Sequence, residues 1–236
     1  RKKLARNWFL TIQELICNEI ENIENGSSYF KTKVWSRSET KDEGGGKSKL
    51  LKNGKVFEKV GVNFSEVYGN FSNEFKKKIP RFNNSKNFWA SGISIVMHMK
   101  NPYIPAMHFN TRYIITDHGW FGGGMDFTPC FKDSALEKIV EKKLKMMCNK
   151  HGKNYYKKYK KWCDDYFYLH HRNEPRGIGG IFFDYKKENW DRDFAFVRDV
   201  GIVFSYLFKE IIAKKFKKRW KKKDLSLIHI SEPTRH

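Results

Sequence analysis

Residues Asn87–Cys130 read NFWASGISIVMHMKNPYIPAMHFNTRYIITDHGWFGGGMDFTPC, and this stretch decides the fold. Two apolar, β-branched runs, Gly92–Met99 and Met107–Thr116, predict neighbouring strands, and the segment between them is broken by Pro102 and Pro105. Because side chains alternate along a strand, each run has one apolar row and one polar row. The pattern therefore predicts a sheet with two chemically different faces.

The polar rows of the two runs contain candidate binding residues. Ser94 and His98 share one side of the first run, and His108, Asn110 and Arg112 share one side of the second. If the strands pair, these rows line one pocket, where a buried polar group without a partner would cost roughly 1–3 kcal/mol. A ligand is one such partner. A polar row also often faces solvent, so the pattern alone leaves both alternatives open.

A glycine-rich segment follows the second run. Gly122-Gly123-Gly124 allows another group to approach the backbone closely, and Asp126 and Thr128 come next with the same parity. Asp126 is either a functional carboxylate or a turn cap.

Composition narrows the class of protein. The 236 residues are 39% hydrophobic and 16% aromatic, which suits one domain or at most two small ones. No apolar run is long enough to span a membrane. The cysteines have unrelated spacings, which predicts reduced thiols in a cytoplasmic protein rather than a disulfide framework. These residues are Cys17, Cys130, Cys148 and Cys163.

The net charge of +21 suggests two interpretations. A basic chain can bind nucleic acid. However, lysines such as Lys142-Lys143 and Lys157-Lys158 lie in segments with helical periodicity, where aromatic residues have core spacing. We therefore expect solvated helix faces and no specific nucleic-acid binding. A positive field would also attract a small polyanion.

Helical periodicity appears four times, which predicts an α+β fold when combined with the strands. The predicted helices cover residues 4–24, a segment that opens with a capping box at Ser134 and Glu137, residues 155–169 and residues 194–220. Asp42–Lys47 is predicted to be a loop. Its GGGKS sequence lacks the first glycine of a phosphate-binding loop, so we predict no nucleotide site there.

Four long motifs resemble those of the oxygen-dependent coproporphyrinogen III oxidases. They are the opening stretch, EGGGKSKLLKNGKVFEKVGVNFSEVYG (Glu43–Gly69), YKKWCDDYFYLHHRNEPRGIGGIFFDY (Tyr159–Tyr185) and DFAFVRDVG (Asp193–Gly201). The resemblance implies a large antiparallel β-sheet flanked by α-helices on both sides. It further implies a homodimer that uses O2 to convert two propionates of coproporphyrinogen III to vinyl groups, giving protoporphyrinogen IX in haem biosynthesis.

The resemblance also implies roles for individual residues. His108 would be the proton donor, and Asp126 would bind or deprotonate a pyrrole N–H. The implied substrate-binding residues are Ser94, Asn110, Thr111, Arg112 and Arg176. For Arg176 the alternatives are a substrate propionate or an ion pair with Glu174 or Asp184.

Some members of this family are described with a divalent metal held by four histidines. His98, His108 and His171 match three of those positions, and Glu141 stands at the fourth. Because a carboxylate can bind Mn or Mg, a mixed site stays open as an alternative. Our first expectation is a metal-independent reaction in which O2 is the co-substrate.

The end of the chain differs in composition from the rest. LSLIHISEPTRH (Leu225–His236) resembles a translated sequencing adapter. We therefore expect residues 1–224 to form one oxidase domain without the family's C-terminal segment, and residues 225–236 to be a non-native tail. The alternative function is a non-catalytic porphyrin-binding protein with the same fold.

Overall fold

The computed structural model describes residues 1–70, 87–170, 173–221 and 224. Within these residues the secondary structure alternates between long strands and four helices, which we number in chain order. The elements are α1 (Lys2–Glu24), β1 (Lys31–Ser36), β2 (Gly44–Lys52), β3 (Phe57–Asn70), β4 (Asn87–Met99), β5 (Ala106–Ile115), β6 (Gly119–Thr128), α2 (Ser134–His151), α3 (Tyr155–Tyr166), β7 (Tyr168–Leu169), β8 (Glu174–Pro175), β9 (Gly179–Lys186) and α4 (Trp190–Lys215).

Seven of the strands form one antiparallel sheet in the order β1-β2-β3-β4-β5-β6-β9. Strands that follow one another in sequence are neighbours in this sheet, except at the last step, where the chain passes through α2, α3 and the short β7–β8 pair before it adds β9. The α+β class predicted from the sequence is therefore confirmed.

Helices α1 and α4 cover the apolar face of the sheet. Phe9 and Ile16 of α1 are fully buried, and the ring of Phe204 in α4 stacks on Phe109 of β5 with 4.9 Å between centroids. Burying a side chain of this size contributes roughly 1.5–3 kcal/mol. This layer fixes which face of β4 and β5 points away from the helices.

Helix α3 reaches both sides of the sheet at the β9 edge. Tyr159 lies 5.7 Å from the ring of Phe183, on the apolar face. Trp162 and Tyr166 pack on Phe182, with centroid distances of 5.4 and 4.5 Å. Adjacent residues of a strand point to opposite faces, so Phe182 and Phe183 lie on opposite sides of β9. Helix α3 packs against both and therefore contacts the second face of the sheet as well, as the resemblance implied.

A buried ion pair joins β9 to α4. Lys186 Nζ lies 2.8 Å from Asp193 Oδ1 and donates a hydrogen bond of 2.9 Å to the hydroxyl of Tyr155. Burial lowers the pKa of Lys186, but the bonds to Asp193 and Tyr155 outweigh it and leave the pKa above its usual value. The lysine therefore stays charged inside the protein.

The glycines of β2 were wrongly predicted to lie in a loop. Gly44–Gly46 are the first three residues of strand β2. Gly45 and Gly46 lie close to the backbones of the two neighbouring strands. A methyl group at Gly45 would overlap the carbonyl oxygen of Trp35, and one at Gly46 would overlap that of Phe64. The low strand propensity of glycine is thus overridden by close strand pairing.

The cap of α2 also differs from the prediction by one residue. Asp133, not Ser134, is the N-cap, and its side chain accepts the N–H of Leu136 at 3.0 Å. Aspartate and serine are both good N-caps, so the sequence pattern could not separate them. None of the helices in the described part of the chain is both long and apolar enough to span a membrane.

Candidate active site

The strand register gathers the candidate residues on one surface, which we call the polar face. It is the side of β3–β6 opposite α1 and α4, and it carries Asn63, Ser94, Asn110 and the residues of matching parity. Across β4, β5 and β6 three rows follow directly from the pairing. They are Val96–His108–Asp126, Ser94–Asn110–Gly124 and Gly92–Arg112–Gly122.

Asp126 is the centre of a charged cluster on this face. It is 3% exposed, and Arg176 Nη2 lies 3.0 Å from its Oδ1 and 2.9 Å from its Oδ2. Thr128 Oγ1 donates to Oδ2 at 3.1 Å, and His108 Nδ1 lies 3.4 Å from the same atom. Burial raises the pKa of Asp126, but His108 and Arg176 lower it by more, so the net pKa is below the ordinary value. Asp126 is therefore a carboxylate at neutral pH.

His108 connects this cluster to the surface. Its Nδ1 is directed towards Asp126, its side chain is 24% exposed, and its ring lies 6.5 Å from that of His98. A carboxylate beside one ring nitrogen fixes the orientation of the other. His108 is therefore placed to carry a proton between a ligand on the polar face and solvent.

Asn110 lies between His108 and Arg112 and offers an acceptor. Its Oδ1 is buried and has no hydrogen-bond partner among the residues that the structure describes. Leaving such an atom unpaired is costly. A ligand N–H on the polar face would satisfy it.

Arg112 is held over two glycines. It lies between Gly92 and Gly122 in the register, and its Nη2 lies 2.8 Å from Asp184 Oδ2. A methyl group at Gly122 would lie 3.0 Å from Arg112 Nε and would overlap Asp184 Oδ1. The pairing of Asp184 with Arg112 was not predicted from the sequence. Alternation along β9 places Asp184 on the same side as Phe182, but it does not identify the partner across the sheet.

The ion-pair partner of Arg176 is Asp126, which was not among the partners predicted from the sequence. Arg176 binds Asp126, stacks over the ring of Phe167 at 4.0 Å, and donates its backbone N–H to the Phe167 carbonyl. Asp184 binds Arg112 instead. A substrate propionate would therefore meet two arginines that already have carboxylate partners.

Thr111 lies away from the other predicted substrate-binding residues. Its side chain is on the apolar face and is 1% exposed. Strand alternation explains this position, because its neighbours Asn110 and Arg112 both point to the polar face. Its hydroxyl cannot contact a ligand that binds there.

Three of the four positions predicted for a metal lie in the described part of the chain, and these three do not converge. His98 and His108 are neighbours, but Glu141 is exposed on α2, whose residue Val140 packs against Gly179 on the apolar face. His171 lies outside the described residues. Within the part of the chain that is described, no group of three or more His, Cys, Asp or Glu side chains could hold a metal. Glu141 therefore does not fit a four-ligand site with His98 and His108.

Strand β3 extends the polar face beyond the residues predicted from the sequence. Asn63 pairs with Ser94, and Ser65 pairs with Gly92. The apolar residues Val60, Val62 and Phe64 are buried, so their neighbours must point to the polar face. This alternation was visible in the sequence, but the partner of β3 was not.

Comparison with known proteins identifies the family of this chain. The coproporphyrinogen III oxidase family profile matches residues 5–230, which extends into the stretch predicted to be a tail. Proteins named oxygen-dependent coproporphyrinogen-III oxidase from Rickettsia akari, Rickettsia africae and Rickettsia bellii are each 45% identical to this chain. Each alignment covers 93% of this chain and 80% of the relative. The chain belongs to the coproporphyrinogen III oxidase family.

Proposed function

We propose that this protein catalyses the oxygen-dependent oxidative decarboxylation of two propionate groups of coproporphyrinogen III, which yields protoporphyrinogen IX in haem biosynthesis. The observation that carries the proposal is the convergence of His108, Asp126, Asn110 and Arg112 on the polar face. The names of the relatives supply the substrate and the oxidant.

The reaction defines what the polar face must do. At each propionate the bond to the carboxylate carbon breaks, CO2 leaves, and that electron pair forms the vinyl double bond. A C–H bond on the carbon attached to the pyrrole also breaks, and its two electrons pass through the electron-rich ring to O2. With the proton from that bond and one from solvent, O2 becomes H2O2, so atoms and electrons balance.

The side chains match these needs. The guanidinium of Arg112 suits a carboxylate, and the buried Oδ1 of Asn110 can accept a pyrrole N–H. Asp126 has a lowered pKa, which makes it a weak base but a good anchor for His108. His108 is then the group that moves protons. Arg176 holds Asp126 in its ionised form.

The proposal also includes a reaction without a resident metal, because the pyrrole itself can reduce O2. To test this, chelator-treated protein is incubated with coproporphyrinogen III in air and under nitrogen. Each incubation is carried out with and without added Mn²⁺. Protoporphyrin fluorescence is read after chemical oxidation of the product. Conversion in air but not under nitrogen, without added Mn²⁺, supports both the oxidase activity and the metal-free reaction. Conversion that requires Mn²⁺ overturns the metal-free reaction. Binding without any conversion indicates the non-catalytic porphyrin-binding protein.

Replacing His108 with Ala should lower kcat by about 100-fold or more, since positioned proton transfer contributes roughly that much. Coproporphyrin III binding, measured by fluorescence titration, should change only a few-fold. His118→Ala is the matched control, because His118 is exposed in the turn between β5 and β6. Equal losses of binding and turnover in the His108 variant would contradict a role in proton transfer.

The proposal extends to a cytoplasmic homodimer. Cys17, Cys148 and Cys163 are buried thiols, as expected in a reducing compartment. β1 forms one edge of the sheet, with Val34 75% exposed. Exposed edges of this kind favour pairing with another chain. Sedimentation velocity of the purified protein tests the dimer.

A further inference from the structure

Asp184 pairs with Arg112 on the polar face but has no role in the reaction proposed above. Its Oδ2 lies 2.8 Å from Arg112 Nη2, and its Oδ1 accepts the backbone N–H of Tyr185 at 2.9 Å. The Asp184 side chain is 18% exposed and that of Arg112 is 36% exposed. The carboxylate thus lies beneath a guanidinium that reaches the surface.

The backbone around Asp184 is shaped for this contact. The pairing of β6 with β9 shifts register between Phe121 and Gly123, which marks a bulge in β9 where Asp184 and Tyr185 lie opposite Gly122. Tyr185 has a φ of 52°, a left-handed conformation that is costly for a residue other than glycine. Bulges of this kind re-aim a side chain. Here the two bulged residues, Asp184 and Tyr185, lie opposite Gly122, which pairs with Arg112 on its other side.

Gly122 provides the space for the pair. A side chain there would overlap Asp184 Oδ1 and press against Arg112 Nε. Three local features therefore favour one ion pair, namely a bulge, a left-handed residue and a glycine. A partly exposed ion pair contributes little to stability, about 0–1 kcal/mol. Stability alone does not account for this arrangement.

The guanidinium has donors to spare. It carries five N–H groups, and Nη2 is the atom that binds Asp184. With one edge fixed by Asp184, the exposed edge presents its remaining donors in a fixed direction. Such preorganisation lowers the entropic cost of binding a carboxylate.

We infer that Asp184 is a positioning residue, which acts through Arg112 and holds its guanidinium in the orientation that binds a substrate propionate. This inference rests on the proposed function. It assigns Asp184 no contact with the reacting atoms.

Asp184→Asn is the informative change. The amide can keep an oxygen for the N–H of Tyr185, so the bulge should persist, while the charge that holds Arg112 is lost. We expect KM for coproporphyrinogen III to rise about tenfold, since a hydrogen bond to a charged group is lost, with kcat changed by less than about threefold. Asp165→Asn is the matched control. Asp165 forms an exposed ion pair with Lys161 on α3, so KM should stay the same.

A double-mutant cycle separates positioning from a structural role. If Asp184 acts through Arg112, Asp184→Asn should change KM less than about twofold when Arg112 is already Ala. An equal loss in both backgrounds, or an unchanged KM in the single variant, would overturn the inference.

The same cycle is repeated with coproporphyrin III binding, which needs no turnover. If the wild-type protein binds coproporphyrin III but does not convert the porphyrinogen, the catalytic proposal fails and the binding cycle still decides the role of Asp184. If it does not bind coproporphyrin III either, both proposals fail.

Discussion

A carboxyl group as deeply buried as that of Asp126 stays ionised only when positive charge accompanies it. Arg176 donates three hydrogen bonds to this carboxylate, and His108 Nδ1 lies 3.4 Å from Oδ2. These partners overcome the effect of burial and lower the pKa. The negative charge of Asp126 therefore depends on Arg176, a loop residue that follows β8 in the chain.

Replacing Arg176 with Met should destabilise the protein in a pH-dependent way. In the wild type, the folded pKa of Asp126 lies below its unfolded value of about 3.9, so its contribution is complete above that pH and is lost in acid. Without Arg176 the pKa rises, because burial remains. The deficit in unfolding free energy should grow from about pH 4 to pH 7 and reach roughly 3 kcal/mol.

Urea denaturation at several pH values measures this deficit. Lys161→Met is the control, because it removes an exposed cation from a helical ion pair and should cost less than about 1 kcal/mol at every pH. A deficit for the Arg176 variant that does not change with pH would show that lost packing over Phe167, rather than charge, explains the effect.

Among the elements, β6 shows why a glycine-rich strand suits this site. Gly122→Ala should force Arg112 and Asp184 apart, because the new methyl group overlaps Asp184 Oδ1. We expect a loss of about 1–3 kcal/mol in unfolding free energy and a rise in KM similar to that of Asp184→Asn. Thermal denaturation and steady-state kinetics in air measure the two effects.

Gly61→Ala is the matched control on the same face. The nearest atom to its methyl group would be Asn63 Nδ2 at 3.7 Å, an ordinary contact. Its stability should change by no more than about 0.5 kcal/mol. If both glycine variants behaved alike, strand propensity rather than the space needed by the ion pair would be responsible.

Elements whose pattern is local could be predicted from the sequence. β4 and β5 alternate between apolar and polar residues over most of their length, so the order of residues is enough to assign their polar rows. β2 could not be predicted, because Gly44–Gly46 are strand residues only through contacts with β1 and β3. The Arg112–Asp184 pair depends on a bulge between β6 and β9. Such register shifts arise from tertiary packing and leave no periodic signal.

At the scale of the whole molecule, charge is distributed unevenly between site and surface. Both arginines of the polar face are paired with carboxylates, Arg112 with Asp184 and Arg176 with Asp126. These pairs are locally neutral, yet the chain carries a net charge of +21. Attraction of an anionic substrate must then come mainly from the lysines elsewhere on the surface, whose summed field acts over distance.

Because this field acts over a long range, we expect salt to weaken the association of the substrate with the protein and to leave the chemical step unchanged. Coproporphyrinogen III carries four carboxylates, so raising the ionic strength from about 0.02 M to 0.2 M should lower kcat/KM by about three- to tenfold, because the Debye length shrinks to less than 10 Å. kcat at saturating substrate should change little, since the buried Asp126–Arg176 pair is weakly screened. Steady-state kinetics at each NaCl concentration measure both constants, with sucrose of equal osmolality as the control. A fall in kcat that matches the fall in kcat/KM would contradict the prediction and would indicate that salt acts within the site itself.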